Sequence, residues 1–150
     1  ANAGCLLAAV QDKTSTGQEG HVFLKLDTGM TDILRPTLYA SQQPMTVVPL
    51  SEDSDEKESV IVVGHCCESG DLLTPAQSDP ETLAPRLLPE SRVGDACIIE
   101  GVGAYCSSMP AKNYNSFPEA SEALRREDGS FALIRKRQLL DQILDNELIP

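Results

Sequence analysis

Val60-Ile61-Val62-Val63-Gly64-His65-Cys66-Cys67-Glu68-Ser69-Gly70-Asp71 is the stretch that decides how the chain is built. Its first four residues are β-branched and run without a polar break, so they read as a strand buried on both faces. Glycines at 64 and 70 then punctuate the run where the strand leaves its core. Upstream, Gly4 to Val10 is a short apolar run and Asp12 to Gly20 is polar and turn-rich. Val22 to Leu26 resumes with β-branched, aromatic and aliphatic residues, which predicts a hairpin or two neighbouring strands. Asp27-Thr28-Gly29-Met30 closes the second of these, with a turn at Gly29. In Ile33-Leu34-Arg35-Pro36 the proline disfavours helical geometry at Arg35, so no helix interior is expected there. Met45 to Val48 is a further short strand. Ser51 to Glu58, with five acidic side chains and Lys57, reads as a solvated hairpin loop.

Downstream, prolines at 75, 80, 85 and 89 forbid a long helix over Thr74 to Arg92 and predict an ordered surface connection. Gly94 to Tyr105 reads as another strand, with Ala96 and Ile98 alternating against Cys97 and Ile99. Phe131 to Ile134 is a last strand after the Asp128-Gly129 turn signal. Leu139, Leu140, Ile143, Leu144 and Leu148 fall at helical spacing, so an amphipathic C-terminal helix is expected. Strands at short intervals, with no regular alternation of strand and helix, predict a mainly β domain: an antiparallel barrel or sandwich with minor helix.

The 150 residues suit one domain, and 41% hydrophobic content is enough for a core. Twelve basic against 23 acidic residues give a net charge of −11, which argues against a nucleic-acid partner and against docking on an anionic membrane. No apolar stretch approaches the roughly 20 residues of a membrane span. No signal peptide is legible at the N-terminus. The chain begins Ala1-Asn2-Ala3 without an initiator Met, which fits a piece of something longer. Cys5, Cys66, Cys67, Cys97 and Cys106 are odd in number and no glycosylation sequon is present, so a reducing, cytoplasmic setting is expected. No C-x-x-C or H-x-x-x-H spacing offers a metal site, and adjacent Cys66 and Cys67 on a strand would point to opposite faces.

Three places could carry chemistry. At the end of the buried strand, Cys67 brings a thiol that is mostly protonated near neutrality and able to give a proton to a carbanion. Glu68 beside it could accept hydrogen bonds from a ligand amine, and Gly70 lets the backbone turn. A half-buried cysteine next to a turn is the plain alternative. Gly101-Val102-Gly103-Ala104-Tyr105 places paired glycines and a tyrosine hydroxyl where a strand ends, suited to a phosphate or carboxylate, or simply to a β-bulge with a packed ring. Arg35-Pro36-Thr37-Leu38-Tyr39 sets a guanidinium fork near a second tyrosine, although a lone arginine is usually a surface residue. His21 and His65 have no legible partner and read as scaffold.

Taken in order, Asp27-Thr28-Gly29-Met30, Arg35-Pro36-Thr37-Leu38-Tyr39, Cys67-Glu68-Ser69-Gly70-Asp71, Gly103-Ala104-Tyr105 with Ser108-Met109, and Asn113-Tyr114-Asn115-Ser116 resemble the C-terminal domain of the diaminopimelate decarboxylase family. The resemblance runs over nearly the whole chain. It implies an antiparallel Greek-key-type β-barrel like the C-terminal domain of alanine racemase, with short helices and a C-terminal helix. It also implies pyridoxal 5'-phosphate (PLP) as cofactor, held mainly by an N-terminal (β/α)₈ barrel that residues 1–150 do not include. None of Lys13, Lys25, Lys57, Lys112 and Lys136 corresponds to the family's cofactor-bearing lysine, so this domain alone is expected to be inactive.

By position, Cys67 resembles the family's proton donor to Cα and Glu68 the group that binds the distal amine of the substrate, both reaching into a partner subunit's site in a homodimer. Arg35 and Tyr39 resemble the residues that hold the distal carboxylate, and Tyr105 the tyrosine that contacts PLP and substrate. Cys66 is expected to be structural. Related decarboxylases of ornithine, arginine or carboxynorspermidine are the nearest alternatives, disfavoured because their substrates lack the distal amino-acid head and make less use of an arginine clamp. A β-domain that binds a ligand without catalysis is the alternative from another class.

Overall fold

This computed structural model describes residues 3–50 and 56–148, in which ten strands, two short helices and one 3-10 turn follow one another. The strands are β1 (Cys5–Ser15), β2 (Val22–Leu26), β3 (Met45–Val48), β4 (Lys57–Val63), β5 (Pro75–Ala76), β6 (Asp79–Leu83), β7 (Arg86–Pro89), β8 (Ala96–Glu100), β9 (Glu122–Arg125) and β10 (Phe131–Arg135). Helix α1 is Arg35–Tyr39, helix α2 is Leu140–Ile143, and the 3-10 turn is Tyr114–Ser116. Six strands make the main sheet in the order β3-β8-β1-β2-β4-β7. Its end strands β3 and β7 lie against each other, so the sheet curls into a nearly closed barrel.

The curl comes from β1. Cys5 to Ala9 pair with β8, whereas Val10 and Asp12 to Ser15 pair with β2, and the register slips between Val10 and Asp12. An extra residue there bends the strand and increases its twist, which lets one long strand serve both halves of a barrel. The interior is filled from alternate positions: Ala8 and Val10 of β1, Leu24 and Leu26 of β2, Val60 and Val62 of β4, and Cys97 and Ile99 of β8. Ile61 is fully buried on the opposite face of β4, so this strand is covered on both sides as its unbroken apolar run requires.

The barrel class expected from the sequence is the one observed, and several local expectations change. The antiparallel expectation gives way at the centre, because β2 and β4 pair in parallel, Val22 opposite Val60 to Lys25 opposite Val63. The long connection between them, carrying α1 and β3, supplies the crossover that parallel pairing needs. Asp12 to Ser15 belong to β1 rather than to a turn, with Asp12, Thr14 and Ser15 exposed on a hairpin arm and Lys13 half-buried. Pro36 sits in the first turn of α1, where a missing N–H costs nothing, so Arg35 is helical after all.

The proline-rich stretch is three short strands, with Leu88 of β7 buried in the core. The strand expected to reach Tyr105 stops at Glu100, where Gly101 takes φ +73° and turns the chain outward. The C-terminal helix is only four residues long, with Leu139, Leu140 and Leu144 exposed. Of the acidic segment at 51–58, residues 51–55 lie outside the described residues, while Lys57 and Glu58 are strand.

Glu58 ties three pieces of the barrel together. Its Oε1 meets Lys13 Nζ at 2.7 Å and accepts from the Ser91 amide at 2.9 Å and hydroxyl at 3.0 Å, while Lys13 Nζ also donates to the Ser91 carbonyl at 3.0 Å. Burial alone would raise this carboxyl, and the hydrogen bonds outweigh it and hold the group below the ordinary carboxylate value. A depressed carboxyl stabilises the fold above its ordinary value of 4.5 and loses that contribution as pH falls through the folded value. Glu58→Gln is therefore expected to cost about 1 kcal/mol at neutral pH. In thermal unfolding, the gap from wild type should close as pH is lowered well below the ordinary carboxylate value. A gap independent of pH would contradict this role.

Candidate active site

At the end of β4 the chain enters Gly64 to Asp71, whose shape is set from within by one carboxylate. Asp71 Oδ1 accepts from the Met30 amide at 2.6 Å and Oδ2 from the Cys66 amide at 2.8 Å. The side chain is buried. A Cβ added at Gly29 would lie 2.4 Å from its oxygens, and one added at Gly64 2.2 Å, so both glycines are there to let the carboxylate in. The backbone repeats the connection: Gly64 N donates to Asp71 O at 2.9 Å, Asp71 N to Glu68 O at 3.0 Å, and His65 N to Thr28 O at 3.1 Å. Burial pushes the Asp71 carboxyl above its ordinary value, against the pull of the Cys66 and Met30 amides. The segments after β2 and after β4 are thereby locked together.

This lock places the sequence-derived site residues in two neighbouring groups. The first begins at α1, which follows the turn at 27–34 with Ile33 fully buried beneath it. Arg35 points its guanidinium at two rings, Cζ lying 5.4 Å from the Tyr39 centroid and 5.8 Å from that of Tyr105. These three residues and Met109 line an open cleft of about 460 Å³. Among the described residues no carboxylate pairs with Arg35, although acidic groups outnumber basic ones in the chain. Tyr105 holds a left-handed backbone, φ 57°, a conformation that costs a non-glycine residue on the order of 1 kcal/mol. That strain presents its ring toward Arg35, with the next residue, Cys106, buried in the core as anchor.

The second group is Cys67 and Glu68, both exposed and lining an adjacent cleft with Phe23, Lys25 and Leu83. Thr37 of α1 donates to the Gly70 carbonyl at 2.7 Å, which links the two groups through the backbone. Glu68 Oε1 accepts from Gly70 N at 3.1 Å and Ser69 Oγ at 3.3 Å, and the Tyr114 hydroxyl lies beside the same carboxylate. Cys66 and Cys67 part company as adjacent residues should. Burial, with Asp71 close by, pushes the Cys66 thiol up to about 12, so it stays protonated and inert, as its expected structural role requires. Cys67 faces outward, and Asn115 Nδ2 donates to its sulfur at 3.4 Å. Arg35, Tyr39 and Tyr105 thus meet around one cleft, and Cys67 and Glu68 around the other.

His65, without a legible partner in the sequence, has several. Its ring stacks on Phe117 at 3.5 Å between centroids and 5° between planes, and Nε2 lies 2.8 Å from Thr31 Oγ1. Burial lowers its basicity, and the carboxylates of Asp71, Asp32 and Asp27 offset part of that. The stack docks the end of the 101–117 segment on the Cys67 loop, while Val102 N to Gly4 O at 3.1 Å and Ala111 N to Met30 O at 3.0 Å hold the rest of it to the residue before β1 and to the turn after β2. Sequence reasoning gave no role to Asp71, Asn115 or Met109. Asp71 stood at the end of the motif Cys67-Glu68-Ser69-Gly70-Asp71, next to Gly70 and the apolar pair Leu72 and Leu73, with nothing in the sequence to name its partners. Among the described residues no group of three His, Cys, Asp or Glu converges as a metal site, and no helix is long and apolar enough to cross a membrane.

Comparison with known proteins gives the same direction. The profile described as pyridoxal-dependent decarboxylase, C-terminal sheet domain, matches residues 2–103. A curated diaminopimelate decarboxylase of Escherichia coli (strain K12) is 34% identical over 152 residues, which cover 99% of this chain and 35% of the relative. A crystal structure of diaminopimelate decarboxylase superposes with a TM-score of 0.86 at 33% identity, over 95% of this chain and 33% of that one. The structure of the M. jannaschii diaminopimelate decarboxylase gives 0.83 at 30% identity, over 99% and 31%. The chain spans about a third of the length of the curated relatives it matches.

The fit around the Asp71 carboxylate is open to a direct test. Gly64→Ala would drive a methyl group into it and is expected to cost about 2 kcal/mol in urea unfolding, in the range of an overpacked site. Gly94→Ala offers the contrast, because no atom lies within 4 Å of a Cβ there and only its φ of +97° is strained. A Gly64→Ala protein as stable as wild type would remove the packing reason for that glycine.

Proposed function

Because the chain belongs to the family of C-terminal sheet domains of pyridoxal-dependent decarboxylases, we propose that it is part of a diaminopimelate decarboxylase. The reaction is conversion of meso-2,6-diaminopimelate to L-lysine and carbon dioxide. The observation that carries this reading is the Arg35 guanidinium, free of any carboxylate among the described residues and framed by Tyr39 and Tyr105 over an open cleft. Such a fork is matched to a carboxylate, and diaminopimelate keeps a second amino-acid head for it to bind. Ornithine offers no carboxylate at that end. Identity to diaminopimelate decarboxylases over nearly the whole chain supports the same substrate.

Each residue then has a task. Arg35 and Tyr39 hold the distal carboxylate, and Glu68, exposed at its cleft, accepts from the distal amine. Cys67 delivers the proton to Cα after carbon dioxide has left. Tyr105 contacts cofactor and substrate from beside Arg35. PLP, when bound, supplies the electron sink for the pair left by decarboxylation. The residues present suit the edge of that group and not its anchor. Tyr105 offers a hydroxyl at the cleft, whereas Lys13 and Lys112 are occupied by Glu58 and Glu119, each at 2.7 Å, and Lys25 lines the other cleft.

The anchor is assigned to an N-terminal (β/α)₈ barrel, a separate body against which this domain docks. Leu133, Ile134, Leu139, Leu140 and Leu144, all exposed along β10 and α2, support such a docking surface. The separation of Cys67 and Glu68 from the Arg35 cleft supports a homodimer in which each subunit lends the thiol and carboxylate to its partner's site. The setting proposed is cytoplasmic, in keeping with five cysteines that are all free.

The test uses the intact enzyme that carries this domain. Decarboxylation of meso-diaminopimelate should exceed that of ornithine by at least about a hundredfold in kcat/KM, the scale of one bidentate charged contact. Preference for ornithine would end the assignment. Cys67→Ala should lower kcat by about a hundredfold or more, the usual worth of a placed proton donor, with Cys66→Ala within about threefold of wild type. Equal losses for the two would remove Cys67 from the chemistry.

A further inference from the structure

We infer that Asn115 is a positioning residue for Cys67, donating its side-chain N–H to the sulfur so that the thiol faces the cleft and its anion is stabilised once the proton has gone. The inference deepens the role proposed for Cys67 and rests on it. Its basis is a contact between residues 48 positions apart, Asn115 Nδ2 to Cys67 Sγ at 3.4 Å, which no local turn geometry would bring about.

Asparagine is common where φ is positive, and Asn115 has φ 53°, so a purely conformational role has to be weighed first. Its neighbour shows what that role looks like. Asn113, at φ 57°, spends its Nδ2 on the scaffold, donating to Phe117 O at 3.1 Å and to Gln138 Oε1. Gln138 in turn accepts from Glu119 N at 3.0 Å, so Asn113 fastens the turn to the segment behind it. Asn115 makes no such connection among the described residues; its one hydrogen bond from the side chain goes to Cys67. With Ser116 also left-handed at φ 62°, the turn carries three strained residues in four, and the product of that strain is an amide aimed at the sulfur.

The stacking of Phe117 on His65 fixes the far end of the turn to the loop that bears Cys67, so the donor and the sulfur move as one body. Tyr114, on the same turn, has its hydroxyl shifted up by desolvation and then by the Glu68 carboxylate beside it, so the turn addresses both Cys67 and Glu68.

The chemistry needs no additional reagent. The S–H proton passes to Cα, whose electron pair becomes the new C–H bond, and the S–H pair stays on sulfur as thiolate. Solvent returns a proton before the next turnover. A hydrogen bond donated to sulfur is stronger when the sulfur is charged, so the Asn115 amide favours the donating step over the resting thiol.

The test reads the thiol itself and then the enzyme. Cys67 in this chain is alkylated with iodoacetamide at neutral pH and followed by mass spectrometry, with exposed Cys5 as internal reference. Asn115→Gly keeps the left-handed backbone and removes the amide. It should slow alkylation of Cys67 about three- to tenfold, the effect of losing one hydrogen bond worth about 1 kcal/mol, with Tm and the Cys5 rate unchanged. Asn115→Asp, of the same shape but an acceptor with negative charge, should slow it further. In the intact enzyme Asn115→Gly should lower kcat about tenfold and leave KM for diaminopimelate within about twofold, as loss of a transition-state interaction does.

A Cys67 alkylation rate in Asn115→Gly within about 1.5-fold of wild type would overturn the inference, since even a weak hydrogen bond to sulfur should register. If instead Cys67→Ala leaves turnover intact, the assignment of Cys67 fails, while the alkylation series still decides whether Asn115 acts on its sulfur.

Discussion

A single buried carboxylate, accepting one amide from each of two chain segments, underlies everything that faces solvent on this end of the barrel. Asp71 takes the Met30 amide at 2.6 Å and the Cys66 amide at 2.8 Å, and only because residues 29 and 64 lack side chains can it reach both. Burying an ionised group without partners would cost several kcal/mol, so its two amides and its position at the strand end have to be supplied together. Once they are, the segment after β2 delivers Arg35 and Tyr39, and the segment after β4 delivers Cys67 and Glu68, in one fixed relation.

The division into two clefts follows from the same arrangement. Arg35, Tyr39 and Tyr105 surround an electropositive spot on an otherwise acidic chain, while Cys67 and Glu68 occupy the loop on the other side of α1. Among the described residues no lysine lines the first cleft, which is consistent with the proposal that the remainder of the site comes from other polypeptide. The exposed leucines and isoleucine of β10 and α2 accord with the docking surface proposed above. A surface rich in large apolar groups is costly in water unless something covers it.

What could be read from the sequence was local. The unbroken valines and isoleucine of β4 announced a strand covered on both faces, and the alternation over Ala96 to Ile99 announced β8 without naming its inward pair, which is Cys97 and Ile99. The order of short motifs led to Arg35, Tyr39, Cys67, Glu68 and Tyr105. Long-range pairing was another matter. Nothing in the residues around Asp71 names Met30 as its partner 41 positions away, and nothing around Asn115 names Cys67. The parallel pairing of β2 with β4 escaped for the same reason, because side-chain period fixes which face is buried and not which neighbour lies alongside. The C-terminal leucines carried a helical spacing, yet only Leu140–Ile143 form a helix, since spacing alone does not supply the packing that stabilises a longer one.

Hydrogen exchange at the Met30 and Cys66 amides measures the central constraint most directly, in wild type and in Asp71→Ala. Both amides should be protected in wild type and exchange at least about tenfold faster in the variant, as loss of a buried hydrogen bond implies, with Leu24 and Ile61 in the barrel strands still protected. Exchange at the two positions that does not change on removal of the carboxylate would contradict the view that Asp71 holds the site together.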